Sequence, residues 1–246
     1  MPSSKTPPAA TTPELIWLRP ERTGRGPRPA HSRASIAAVA VALADAEGLG
    51  AVSMRRIAAE LGAGTMSLYN YVPKKEHLFD LMLDAVSGEY RFPDQPSGDV
   101  RSDLRELAHQ QLAILRRHPW AATVVVTRPS LGPNGLRFAE YYLAVMAPVP
   151  FDSGTKLEAM SLLNGFVVQF AEWERGGVSP GQDREQGQRE LIEYMTQAVL
   201  TGQYPHLATA LASAGGNPST PDSVFERSLG RILTAMLTPP DQPATT

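Results

Sequence analysis

Ser53-Met-Arg-Arg-Ile-Ala-Ala-Glu-Leu-Gly-Ala-Gly-Thr-Met-Ser-Leu-Tyr-Asn-Tyr-Val-Pro-Lys-Lys75 is the stretch that decides the fold. Ser53 stands before a helix whose inner face is Ile57, Ala58 and Leu61, so its hydroxyl predicts an N-cap. Gly62 ends that helix, because glycine adopts the left-handed backbone a tight turn requires. A second short helix is predicted over Thr65–Val72. Pro73 closes it by disfavouring helical geometry at Val72, and pre-sets the first turn of the next helix. Two short helices joined by a glycine turn are the layout of a helix-turn-helix, whose second helix enters the major groove of DNA.

Periodicity separates two faces of that second helix. Leu68 and Val72, four apart, point inward against Ile57 and Leu61, and leave Thr65, Met66, Ser67, Tyr69, Asn70 and Tyr71 to look outward. Tyrosines and an asparagine are weak helix formers, so this face does little for stability. It suits a groove, where hydroxyls and amides meet base edges and phosphates and apolar surface meets thymine methyls. Lys74 and Lys75 stand at the start of the following helix, where positive charge opposes the helix dipole until a phosphate binds. Ser53 and Arg55 occupy a helix N-terminus of the same kind. These ten residues are the candidate DNA contacts. The other use of such a segment is as a three-helix packing unit inside a larger helical domain.

Outward from this segment, Ile36, Val39, Ala40 and Leu43 repeat at helical spacing between a capping Ser32 and a terminating Gly48. Leu78, Leu81, Met82 and Ala85 mark a fourth helix that fades near Gly88, and Arg91–Gly98, with Pro93 and Pro96, is a boundary. Beyond it lie helices carrying Leu104–Leu115, Trp120–Val126, Leu136–Met146, Thr155–Arg175, Arg189–Thr201 and Ser223–Leu237. The Trp120–Val126 run is β-branched enough for a strand, but one isolated strand in a helical chain is improbable. Ser153 or Asp152 caps the longest helix, Gly176-Gly177 stops it, and Gly176–Gly187 is a polar loop. The expectation is an all-α protein of nine or ten helices. It divides into a disordered basic arm (1–30), a three-helix DNA-binding domain (31–91), a helical ligand-binding and dimerisation domain (92–240) and a disordered tail (241–246).

Composition excludes much. The 246 residues include no cysteine, which removes disulfides, thiolate metal sites and cysteine nucleophiles together. Five histidines show no metal-ligand spacing, and no hydrolase, zinc-protease, phosphate-loop or dinucleotide motif is present. No enzyme activity, cofactor or metal is expected. No apolar run is long enough for a membrane span and no secretory leader is legible, so the expected location is the cytoplasm. The net charge of −2 hides a balance of +3 over residues 1–80 and −5 over residues 81–246. A basic front suits a chain that meets a polyanion with one end. Within the arm, Arg25 and Arg28 are candidates for a narrow minor groove; the alternative is a solvated tail. The patch Leu15-Ile16-Trp17-Leu18 is too short for a core element and is free to dock on the body or a partner.

The Thr155–Arg175 helix is apolar on most faces, so one side needs a partner beyond its own core. Leu163, Phe166 and Phe170, with Phe225, Leu229, Ile232, Leu233 and Met236 of the last helix, are the candidate seam of a twofold four-helix dimer. A central core helix in a monomer is the other reading. His109, Gln110, Trp120, Tyr141, Tyr142, Asn164, Gln169 and Trp173 are polar or aromatic groups on otherwise apolar helices. Singly each is an ordinary core or surface residue; as a set they outline an apolar cavity with polar anchors.

Residues Ile36 to Met82, above all Leu68-Tyr69-Asn70-Tyr71-Val72-Pro73-Lys74-Lys75-Glu76-His77-Leu78, strongly resemble the DNA-binding domain of the tetracycline-repressor (TetR) family. The resemblance implies that Thr65, Met66, Ser67 and Tyr69 face bases or groove, that Tyr71 and Lys75 face phosphates, and that Arg55 can reach a base. Met66 departs from the small or proline residue of the tetracycline repressors, so operator sequence does not carry over. Gly24-Arg25-Gly26-Pro27-Arg28-Pro29 is close to the family's minor-groove hook, with a proline interrupting it. Thr127-Arg128-Pro129 and Glu172-Trp173-Glu174 echo the tetracycline-repressor core domain. Val124 replaces the magnesium-ligating histidine of that core, which argues against a tetracycline–magnesium chelate as inducer. The expected protein is a homodimeric regulator on double-stranded operator DNA, a repressor released by a small-molecule inducer. A nucleoid-type binder with little sequence preference, or an activator of the same fold, are the alternatives.

Overall fold

The computed structural model describes residues 15–20, 31–128, 131–176, 184–214 and 220–238. Arg25, Arg28, Pro129 and the 241–246 tail lie outside the described residues, as does most of the arm. Among the described residues are eleven α-helices and no strand. They are α1 (Arg33–Glu47), α2 (Met54–Glu60), α3 (Thr65–Leu68), α4 (Lys75–Ser87), α5 (Val100–Arg117) and α6 (Pro119–Val125). Then come α7 (Pro133–Val145), α8 (Ser153–Glu174), α9 (Arg184–Leu200), α10 (Pro205–Ala214) and α11 (Pro221–Leu237).

The punctuation read from the sequence works as expected at most ends. Ser32 caps α1 in a reciprocal box with Ser35, and Gly48 closes it at φ 80°. Asp152, rather than Ser153, caps α8 by accepting from Thr155 N–H at 3.0 Å. Four differences stand out. α3 is a single four-residue helix, and its continuation to Val72 is a turn in which Tyr71 and Val72 N–H both donate to the Leu68 carbonyl, each at 2.9 Å. Pro73 lies outside the next helix, with Lys74 in the extended N-cap position. α10 has no counterpart in the sequence reading, and α9 begins at Arg184 instead of Arg189.

The chain forms two compact units. The first takes the described residues of Met1–Gln95 together with Ala113–Ala144. α1, α4 and α6 pack on one another there, with α2 against α1 and α3 against α2. Ile36, Ala40, Ile57, Leu68, Val72, Leu78 and Met82 are among its fully covered side chains.

Three polar nodes pin this unit. His118 is buried, with Nδ1 2.8 Å from Asp45 Oδ1 and Nε2 2.7 Å from Glu89 Oε1. Trp120 Nε1–H donates to the same Asp45 carboxylate at 2.7 Å. Asp84, buried in α4, accepts from the backbone N–H of Asn134 (2.8 Å) and Gly135 (3.2 Å), and so caps the first turn of α7. Arg128 clamps Asp80 with Nε at 2.7 Å and Nη2 at 3.0 Å.

The second unit comprises Pro96–Leu112 and the described part of Val145–Thr246. Its seam runs between α8 and α11, where Leu163, Val167 and Phe170 meet Phe225, Leu229 and Leu233, all buried. Phe166 stacks on Phe225 with ring centroids 5.5 Å apart. α9 packs on α10 and leaves Leu191, Ile192, Tyr194 and Leu200 exposed. No described helix is long and apolar enough to cross a membrane.

Candidate DNA-binding interface

Ser53 sits in extended backbone at the head of α2, and its hydroxyl accepts from Arg56 N–H at 3.3 Å. Gly62, at φ 62°, turns the chain in the left-handed region, where any other side chain is strained. The Ala63 N–H reaches back to the Ala58 carbonyl at 2.9 Å, satisfying a carbonyl at the end of α2. α3 leaves the turn with Leu68 fully buried, and Val72 joins it in the core. The inward pair predicted from periodicity is therefore the inward pair observed.

The opposite face is open. Met66 is 77% exposed and Tyr69 42% exposed. Ser67 and Asn70 are exposed beside them, and Thr65 and Tyr71 are half-buried. An exposed methionine on a one-turn helix adds nothing to the core; it is apolar surface held toward solvent, suited to a thymine methyl. Ser67 Oγ–H donates to the Gly64 carbonyl at 2.7 Å, which leaves its oxygen lone pairs to accept. Lys74 and Lys75 are exposed at the start of α4, and Lys75 Nζ lies 5.4 Å from the Phe79 ring. Arg55 is exposed. Its neighbour Arg56 is held by both oxygens of Glu47, at 2.7 and 2.6 Å, and that bond keeps the Glu47 carboxyl below its ordinary range.

The other predicted sets are arranged differently. Of the dimer residues, Leu163, Phe170, Phe225, Leu229, Leu233 and Met236 are buried by their own chain, and only Phe166 and Ile232 are half-exposed. Apolar side chains facing away from the seam are Leu157 and Leu162, with Leu162 64% exposed. The pocket residues divide between the two units. In the second, His109 Nε2 lies 2.5 Å from Glu226 and its ring meets the edge of Phe225 at 5.3 Å. Gln110 donates to Glu106 at 3.0 Å, Asn164 is half-buried, and Gln169 and Trp173 are exposed. In the first, Trp120 is taken up by Asp45, and Tyr141 stacks on Phe92 at 4.9 Å. Tyr142 is fully buried, its hydroxyl has no hydrogen-bond partner among the described residues, and burial pushes that hydroxyl's pKa up. Sequence reasoning gave no role to Arg33, Asp45 or Asp84, whose partners lie far away along the chain.

A one-turn helix with a buried apolar back, an outward polar and apolar face and lysines just beyond it defines a helix-turn-helix DNA-binding protein. Residues 36–82 match the family model described as bacterial regulatory proteins, tetR family. Residues 92–238 match the model described as tetracyclin repressor-like, C-terminal domain. The chain belongs to the TetR family of bacterial transcriptional regulators. It is 38% identical over 208 residues to the HTH-type transcriptional repressor DrrR1 of Streptomyces coeruleorubidus, covering 81% of this chain and 76% of that protein. An HTH-type transcriptional regulator of Saccharopolyspora erythraea is 33% identical over 214 residues, covering 87% and 89%. Among solved structures, Streptomyces coelicolor ActR in complex with (S)-DNPA superposes with a TM-score of 0.71 at 26% identity, covering 84% of this chain and 97% of that one. ActR in complex with actinorhodin gives a TM-score of 0.70 over the same shares. The family is one of DNA-binding regulators rather than enzymes.

Proposed function

We propose that this protein is a homodimeric repressor that reads a palindromic operator with α3 of each protomer and leaves it when a small molecule binds. The observation that carries the reading is the α3 face: Met66, Ser67, Tyr69 and Asn70 are turned outward by a buried Leu68 and Val72. A twofold body would set two such helices about 34–36 Å apart, the spacing of successive major grooves. Ser53, Arg55, Tyr71, Lys74 and Lys75 supply phosphate contacts, with Thr65 beside the groove-facing group. Arg25 and Arg28 add minor-groove contacts from the arm.

Support for a small-molecule inducer comes from the match to the tetracyclin repressor-like C-terminal domain and from ActR, solved with (S)-DNPA and with actinorhodin. Tyr142, whose buried hydroxyl has no partner among the described residues, is the strongest of the candidate anchors. The inducer acts only through a difference in affinity between the DNA-competent and released states. The dimer uses the surface that the α8–α11 seam leaves open, with Leu157, Leu162 and Ile232 at the contact and the half-exposed Phe166 at the edge of the seam. Leu162→Arg should yield a monomer by sedimentation and weaken operator binding; an intact dimer would move the interface elsewhere.

The test of the whole reading is selection of duplexes from a random-sequence pool by the full chain, followed by footprinting. A twofold-symmetric site bound roughly 10³-fold or more above random DNA is the expected result. Equal binding to all duplexes would instead make the protein a nucleoid-type binder. On the selected duplex, Tyr69→Ala should cost about 1–3 kcal/mol while leaving random DNA unaffected. Lys75→Ala should weaken both duplexes and lower the salt slope by about one.

A further inference from the structure

We propose that Leu15–Arg19 is part of the DNA-reading head, a docked strap that acts with Arg33 to position the end of the recognition segment. The proposal rests on the operator-binding reading above. Although it precedes the helix-turn-helix in the chain, the strap packs like core. Ile16 is 0% exposed, and a single tight turn closes on it: Leu18 N–H donates to the Leu15 carbonyl and Arg19 N–H to the Ile16 carbonyl, both at 3.2 Å.

Trp17 lies against Gly132, the residue just ahead of α7. A Cβ at Gly132 would stand 2.6 Å from Trp17 Cζ2 and 2.2 Å from Asp84 Oδ1, so the indole and the buried carboxylate together fill the place of a side chain. The strap is thus held at one end by an apolar contact that only glycine permits.

Arg33, the first residue of α1, joins the strap to the reading surface. Its Nη1 donates to the Ile16 carbonyl at 3.1 Å and to the Arg19 carbonyl at 2.9 Å. Its Nε donates to the Tyr71 carbonyl at 3.3 Å. One rigid planar group therefore holds two carbonyls of the strap and one of the turn that follows α3. This matters because α3 is a single turn whose exit is closed by little more than the two bonds to the Leu68 carbonyl, and a helix so short is marginal by itself. The Tyr71 N–H is held within the turn by the Leu68 carbonyl, while its carbonyl is held from outside by Arg33, so its place relative to Tyr69 and Asn70 depends also on Arg33 and on what Arg33 grips. Ile16, Trp17 and Arg33 are positioning residues for base readout; none is assigned a contact with DNA.

The chain's lack of cysteine makes docking directly measurable. The Ile16→Cys thiol should react with a maleimide about tenfold or more slowly than that of Leu18→Cys, whose parent residue is exposed. Equal rates would overturn the docking. For positioning, Arg33→Lys keeps the charge and loses the fork. It should weaken binding to the selected duplex by about tenfold or more, with random-DNA binding and the salt slope unchanged. Trp17→Ala should do the same with Arg33 intact, which keeps the test open if Arg33→Lys fails to fold. Unchanged affinity for the selected duplex overturns the proposal, and so does parallel loss on random DNA with a lowered slope, because Arg33 would then be a phosphate contact. A chain that selects no duplex refutes the operator reading instead, while the thiol rates still report on the strap.

Discussion

Leu68→Ala should lower the stability of the DNA-reading unit by about 2–5 kcal/mol and abolish operator binding. Helices shorter than about 12–15 residues are marginal on their own, so a single-turn α3 exists only because something outside it supplies the free energy. Leu68 and Val72 are fully buried beneath it, and Leu68 also provides the carbonyl that receives both Tyr71 and Val72 N–H. Removing the Leu68 side chain leaves a cavity under the one element that presents Met66, Ser67 and Tyr69. Chemical denaturation and binding to a selected duplex together measure the effect. The pattern differs from that of Tyr69→Ala, which should leave stability nearly unchanged and cost only base readout. A Leu68→Ala chain that bound its duplex normally would mean that α3 is not held from beneath.

Asp84→Ala is the second large effect expected. The carboxylate accepts from Asn134 N–H, Gly135 N–H and Asn134 Nδ2, at 2.8, 3.2 and 3.2 Å. Its loss costs about 1–3 kcal/mol for each buried donor left without a partner, and frees the start of α7 from α4. The same carboxylate is why residue 132 is glycine. Gly132→Ala should be severe in the native chain and partly relieved in an Asp84→Ala background, a coupling that a double-mutant cycle reads directly. Burial raises the Asp84 pKa above its ordinary value despite these donors. A carboxyl whose folded pKa is raised adds stability fully present below its unfolded pKa, about 3.9, and lost as pH rises through the folded value. The stability of the native chain should therefore carry a downward slope in the window just above ordinary Asp titration, and Asp84→Ala should remove it. Glu89 has the opposite sign. Burial would raise it, but Arg117 and His118 together hold it below its ordinary range, so its contribution is lost on acidification.

Local signals made the reading head legible. Ser32 and Ser53 cap helices because a hydroxyl before a run of periodic apolar residues has few other uses, and Gly48 and Gly62 turn where a positive φ is needed. Leu68 and Val72 keep helical spacing across what is a turn, so spacing alone overstates the length of α3. α10 escaped because Pro205-His-Leu-Ala-Thr-Ala-Leu-Ala-Ser-Ala214 has only Leu207 and Leu211 to mark a face, and both stay exposed. Periodicity marks the apolar faces of α8 and α11 without saying how much of each is covered by its own chain, which buries Leu163, Phe170, Phe225, Leu229, Leu233 and Met236. Asp45 with His118, Asp84 with Asn134 and Arg33 with Ile16 could not be read at all. Those pairs are 73, 50 and 17 positions apart, and nothing in the local pattern marks either member.

The neighbours Arg55 and Arg56 are not equally available to a phosphate: Arg55 is exposed, and Arg56 is paired with Glu47. The Glu47 carboxylate already neutralises Arg56, so a phosphate brought near it displaces no condensed cation on that residue's account. Glu47→Gln would release the second guanidinium to the polyanion. The protein would then grip every duplex more tightly in dilute buffer, lose that grip more steeply as ions are added, and distinguish one sequence from another less well.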